Sequence, residues 1–161
     1  MEWWQIVIPV VIGWLLGIGT IYLREKIAEN STRKRIAKIL VAEINSNANH
    51  LKSIKAIKGS MPLGQMRDLK PISAPFQKSA FRALLDKVGV FDLAVIIKIR
   101  RYYELLEFME HNQKLILESL NQPIGFRGEF AESYINAGSQ AADIGNELLQ
   151  ILKTKGRVNN A

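Results

Sequence analysis

Residues 3–23 read WWQIVIPVVIGWLLGIGTIYL, and the rest of the chain is interpreted outward from them. No charged side chain interrupts these 21 residues, and eleven of them are Ile, Leu or Val. As a helix rising 1.5 Å per residue the stretch reaches roughly 31 Å, about the hydrocarbon thickness of a bilayer. The aliphatic side chains favour insertion by about 3–7 kcal/mol before Gln5, Pro9 and the glycines subtract from it. Trp3 and Trp4 stand at one boundary and Tyr22 at the other, where amphipathic rings prefer the headgroup region. A buried core helix would carry a polar face, which this stretch lacks. A cleaved signal peptide would have a basic start, a shorter apolar run and a small-residue cleavage site. The sequence therefore predicts a single transmembrane helix over residues 1–24.

The charge pattern assigns that helix a direction. Net charge is +7, and it is uneven. Residues 24–58 hold nine Lys or Arg against three Glu, whereas 59–161 hold thirteen against eleven acidic residues. Arg24, Lys26, Arg33, Lys34, Arg35 and Lys38 follow the apolar run closely, and no Lys or Arg precedes it. The positive-inside rule then implies an inner (plasma) membrane protein, its N-terminus outside and its C-terminal domain cytoplasmic. The same six side chains are the candidate contacts with an anionic lipid leaflet, each contributing about 1 kcal/mol near the surface. Gly13 and Gly17 form a GxxxG, a surface on which two membrane helices approach closely.

Beyond the neck the sequence predicts an all-α fold: one transmembrane helix followed by a small antiparallel helical bundle. Residues 25–58 form a basic juxtamembrane helix. Its apolar seam runs through Ala37, Leu40, Ile44, Asn47, Leu51 and Ile54, in steps of three and four. Asn30-Ser31-Thr32 is consistent with a break and a fresh cap, or with plain helix surface. Asn47 in the seam either sets register between helices or satisfies a nearby polar group.

Residues 59–75 hold two Gly and three Pro and read as a loop. A helical-bundle domain over 76–156 follows, and 157–161 read as a disordered tail. Within that domain Pro75 suits a first helical turn, with Phe76, Ala80, Leu84 and Val88 as its seam. Asp92 is placed to cap a helix through about Leu120, with a seam of Ile96, Ile99, Tyr103, Leu106, Leu117 and Leu120. A last helix over about 129–154 carries Phe130, Tyr134, Ala137, Ala141, Ile144 and Leu148. Gly138, Ala142 and Gly145 form a neighbouring small-residue stripe, a sign of close helix approach.

Chemistry is sparse. There are no cysteines, so disulfides and Cys-based metal sites are excluded. The two histidines are His50 and His111. Glu107 and His111 share a helix face, but a bundle di-metal site needs Glu-x-x-His on two helices. No phosphate-binding glycine motif appears, and no catalytic residue, metal ligand or cofactor is expected. Arg100-Arg101 could meet an acidic partner, and Tyr102-Tyr103 fits packing, with one ring in the core and one at its edge. Nucleic-acid binding is disfavoured, since aromatics do not interleave with the basic residues of 33–58.

The layout resembles one found in many small bacterial and phage proteins: a membrane helix, a basic flank, then Glu43-Ile44-x-x-Asn47-x-x-x-Leu51. Tyr103-Glu104-Leu105-Leu106-Glu107 and Asn112 follow on a later helix. The resemblance implies a bacterial or phage origin and no particular activity. The expected function is a membrane-anchored interaction or scaffold protein without catalysis, partnered by the bilayer and by another protein or itself. The alternative is a membrane-perturbing effector (a toxin, holin-like or defence protein) that oligomerises through its transmembrane helix.

Overall fold

The computed structural model describes the backbone of residues 4–60, 75–118 and 124–156, and the side chains of 11–14, 16–58, 75–118 and 128–155. Every regular element among them is helical. Helix α1 spans Trp4–Ser60 without interruption. The short α2, Ser79–Leu84, runs directly into a 3-10 helix, Leu85–Val90. Helix α3 covers Leu93–Glu118 and α4 covers Ile124–Gly156. The expected loop over 61–74 and the expected tail over 157–161 lie outside the described residues.

Three long helices make the bundle, and paired residues give their directions. Ile54 of α1 lies against Gly138 of α4, and Ile44 against Gly145. Met109 and Tyr102 of α3 meet the same two glycines in the same order. Helix α4 therefore runs antiparallel to both α1 and α3. Those two run parallel to each other: Arg33 bonds to Val90 near one end, and Glu43 bonds to Tyr103 further along. Two long helices can be parallel neighbours only if the chain returns to its starting level between them. The stretch from 61 through the 3-10 helix makes that return. Ion pairs join Lys55 to Asp143, Lys98 to Glu147 and Lys155 to Asp92, tying α4 to both neighbours from the outside.

The core follows the seams read from helical period. Ala37, Leu40, Ile44, Asn47, Leu51 and Ile54 are all buried, as are Tyr134, Ala137, Ala141 and Leu148. On α3 the inward positions are Ile99, Tyr102, Tyr103, Leu106, Met109 and Ile116. Leu117, expected in this seam, is 48% exposed, and Ile116 takes the inward place. Seven residues past Met109, Ile116 keeps the same face, whereas Leu117 is turned a further 100° or so. Leu120 lies outside the described residues.

Element boundaries differ from expectation in three places. Asn30-Ser31-Thr32 is continuous helix within α1. None of the three is Gly or Pro, and their modest intrinsic cost is outweighed by packing that starts just beyond them. Residues 75–78 are not helical, and α2 begins only at Ser79. Helix α4 begins at Ile124 and runs through Gly125 and Gly128. Interior glycine costs about 1 kcal/mol relative to Ala without forbidding the helix.

The membrane reading requires correction. Among the described residues no helix is long and apolar enough to cross a membrane. Of the 3–23 run, the side chains of 3–10 and of Leu15 lie outside the described residues. The part from 11 to Arg24 spans about 20 Å of helix, roughly two thirds of a hydrocarbon core. The expected transmembrane, single-pass anchor in the inner (plasma) membrane, with its N-terminus outside and a cytoplasmic C-terminal domain, is therefore not supported. The bilayer partner and the effector alternative drew on the same span and are not carried further. What the structure retains is an all-helical chain whose helices pack together.

Candidate functional site

Two features stand out once the bundle is assembled. One is a buried polar cluster that holds the returning chain. The other is the uncovered N-terminal part of α1.

Glu43 is the centre of the first. It lies on the buried side of α1 and is only 5% exposed. Its carboxylate accepts the Ala80 N–H at 2.6 Å through Oε2. Its Oε1 accepts the Phe81 N–H at 3.1 Å and the Tyr103 hydroxyl at 2.6 Å. Ala80 and Phe81 sit in the first turn of α2, where backbone N–H groups have no partner within the helix. Lys78 at the N-cap position offers no side-chain cap. A carboxylate from another helix therefore does the capping, with the favourable charge for a helix N-terminus.

One turn along, Asn47 clamps the extended residues before α2. Its Nδ2 donates to the Gln77 carbonyl at 2.9 Å, and its Oδ1 accepts the Gln77 N–H at 2.9 Å. This reciprocal pair uses both amide groups as a strand neighbour would, which explains why 75–78 stay extended. A further turn on, the His50 ring stacks on Phe76, centroids 4.9 Å apart. Glu43, Asn47 and His50 thus form a ladder on α1 that reads the chain from Phe76 to Phe81. Lys78 is buried and closes the ladder from the far side, with Nζ 2.5 Å from Glu110 and 4.0 Å from Glu107.

The electrostatics fit a locked structure. Burial raises the Tyr103 hydroxyl far above its ordinary range, and the bond to Glu43 and that residue's charge push the same way. It therefore stays protonated and donates. Burial also raises Tyr102, with Asn47 acting in the opposite sense. Tyr134 is pushed up to about 12 by burial. His50 is lowered by burial, and its Nε2 is buried without a hydrogen-bond partner. Phe81 lies flat on Tyr103 at 4.0 Å, and Tyr102 meets Tyr103 edge-on at 5.1 Å. Both tyrosines are buried, so the expected division into core and edge rings does not hold.

Three donors already occupy Glu43, so it has little capacity left for a substrate proton or a metal. Glu107 and His111 are exposed on α3, away from Glu43's buried environment. Among the described residues no group of three or more His, Asp or Glu is placed to hold a metal ion. An open groove of about 480 Å³ runs between α3 and α4. Arg101, Glu104, Phe108, Ser133, Asn136 and Gln140 are among its walls. It lacks a nucleophile paired with a base.

The sequence-selected basic residues fall into two groups. Arg24 and Lys26 are exposed ahead of the bundle, with Lys26 Nζ 5.8 Å from the Tyr22 ring centroid. Arg33 is half-buried, donates to the Val90 carbonyl at 2.9 Å, and sits 3.4 Å from Glu29. It therefore helps seat the 3-10 helix on α1. Lys34 is partly buried, and Arg35 and Lys38 are exposed. Gly13 and Gly17 have nothing within 4 Å of the position a Cβ would take.

The second feature is the region around those glycines. Trp14, Leu16, Ile18, Ile21, Leu23 and Ile27 are between 47% and 68% exposed. The first buried residues of α1 are Ile36 and Ala37, so roughly 20 residues of apolar-rich helix precede the bundle. The buried pair Lys78–Glu110 was not legible in sequence, because 32 residues separate the partners. Glu43 left one signal, an acidic residue beside an apolar seam one turn from Asn47.

Comparison with protein-family models, with curated proteins and with solved structures returns no match.

Proposed function

We propose that this chain is a non-catalytic helical interaction module: a locked three-helix body that presents the N-terminal part of α1 to a protein partner. The observation that carries the reading is the exposure of large apolar side chains on that part of α1, Trp14 at 67% and Ile27 at 68% among them. Contiguous exposed apolar surface of this kind marks interaction sites in soluble proteins. The best-ordered polar cluster supports the reading from the other side. Glu43, Asn47 and Lys78 spend their hydrogen bonds on the fold itself, as a rigid carrier requires.

The test is mild crosslinking in the native host followed by affinity recovery of the full chain. Crosslinks through residues 11–27 to a defined protein, or to further copies, are the expected result. Recovery of the monomer alone, or crosslinks confined to α3 and α4, would remove this reading.

A further inference from the structure

The uncovered part of α1 has two apolar faces rather than one. At about 100° per residue, Val11, Trp14, Ile18, Ile21 and Tyr22 project to one side. Ile12, Leu16, Leu23 and Ile27 project to another, roughly 160° away. All nine are exposed. Gly13, Gly17 and Thr20 lie on a strip between the two faces, and the Thr20 hydroxyl is turned back onto the Gly17 carbonyl at 2.8 Å. A helix meant for a single groove would carry one stripe and a polar back. This one has two apolar sides and is served by two neighbours.

We propose that copies of this chain assemble through these segments into an oligomer larger than a dimer, each α1 packing between two others. The inference rests on the interaction reading above and names the partner. Area is the first reason. Four or five large side chains, each with on the order of 100 Å² to bury, make about 400–500 Å² per face, short of the 800 Å² or so per partner that stable pairs bury. Both faces together reach that value, so two contacts per copy suffice where one does not.

Charge is the second reason. Arg24, Glu25, Lys26 and Glu29 follow the apolar faces, two of each sign. Like copies placed side by side in register bring equal numbers of both signs together, with no net repulsion to overcome. Attraction to a strongly charged partner would call for an excess of one sign. Shape is the third reason. The segment is the leading part of a continuous helix, so neighbouring α1 helices can align while their bundles stay outside the contact.

The full chain should be studied by sedimentation velocity over a wide concentration range. Beside it run Trp14→Glu with Ile18→Glu for the first face, Leu16→Glu with Leu23→Glu for the second, and all four together. The wild type is expected as one discrete species above a dimer, each double variant as a dimer or smaller, and the quadruple variant as a monomer. Hydrogen-exchange protection of α3 and α4 should be equal in all four proteins, showing that the bundle is intact. A wild-type monomer, a species that stops at a dimer, or mass that grows without a defined end point would overturn the proposal. So would flotation of the wild type as a monomer with phosphatidylcholine–phosphatidylglycerol vesicles. A monomer that holds a different protein through residues 11–27 overturns self-assembly but leaves the interaction reading standing. Quadruple variants that keep every wild-type partner would remove that reading itself.

Discussion

Glu43 shows how one side chain can hold an element far from it in sequence. The α2 helix has six residues and no side-chain cap of its own. Isolated helices of that length are unstable in water. Glu43 meets two of its first-turn N–H groups, and Tyr103 ties the same carboxylate to α3. Replacing Glu43 with Ala leaves those N–H groups and a buried hydroxyl without their acceptor. The expected cost is about 3 kcal/mol or more, read as a lower urea midpoint with an unchanged slope. Glu43→Gln keeps the volume and one oxygen acceptor, so its loss should be smaller. If Glu43→Ala were neutral, the carboxylate would not be what holds α2. The acidic residue and its neighbour Asn47 were visible in the sequence as polar groups at a seam. Their partners were not, because the partners are backbone groups of residues 77, 80 and 81, which carry no residue-type signal.

At the scale of elements, α4 is the helix whose surface is shaped for close approach. A Cβ on Gly138 would sit 2.6 Å from Ile54 Cγ2 and 2.9 Å from Met109 Cε. One on Gly145 would sit 3.0 Å from Tyr102 Cε2. These glycines face α1 and α3 at once, so neither neighbour can move away without opening the core. Gly138→Ala is expected to destabilise by about 1–3 kcal/mol through overpacking. Gly89→Ala meets nothing within 4 Å and serves as the control. Equal melting temperatures for the two variants would show that the α1–α4 contact is looser than described. The small-residue stripe of Gly138, Ala142 and Gly145 was legible as a sign of close packing, because helical period alone places them on one face. The boundaries of α2 and α4 were not legible. Pro75 and Gly128 looked like start and stop signals, but each weighs only about 1–3 kcal/mol and tertiary contacts can outweigh it.

For the molecule as a whole, pH should act in two separate windows. His50 on α1 faces the Phe76 ring, and burial lowers its pKa below the ordinary value of 6.5. The unfolded chain then binds more protons than the folded one between the two values, so stability rises with pH there. Its contribution is complete above about 6.5 and declines as pH falls toward the folded value. Asp92 is lowered chiefly by its hydrogen bond with Lys155, then by the charges of Lys155 and Arg33. Its contribution is present above 3.8 and is lost as pH falls through its folded value. Urea midpoints should therefore drop between about pH 7.5 and 5.5 in the wild type. His50→Phe, which can keep an aromatic stack on Phe76, should flatten that drop, and an unchanged drop would assign it to another group. Helical class, the inward residues of α1 and α4 and the absence of cysteine chemistry were determined by the sequence alone, since a 3.6-residue period needs no knowledge of neighbours. The parallel pairing of α1 with α3, the capping of α2 by Glu43 and the burial of Lys78 against Glu110 were decided only in three dimensions. Each joins groups 25 or more residues apart, and local periodicity carries no record of which distant groups the folded chain brings within hydrogen-bonding reach.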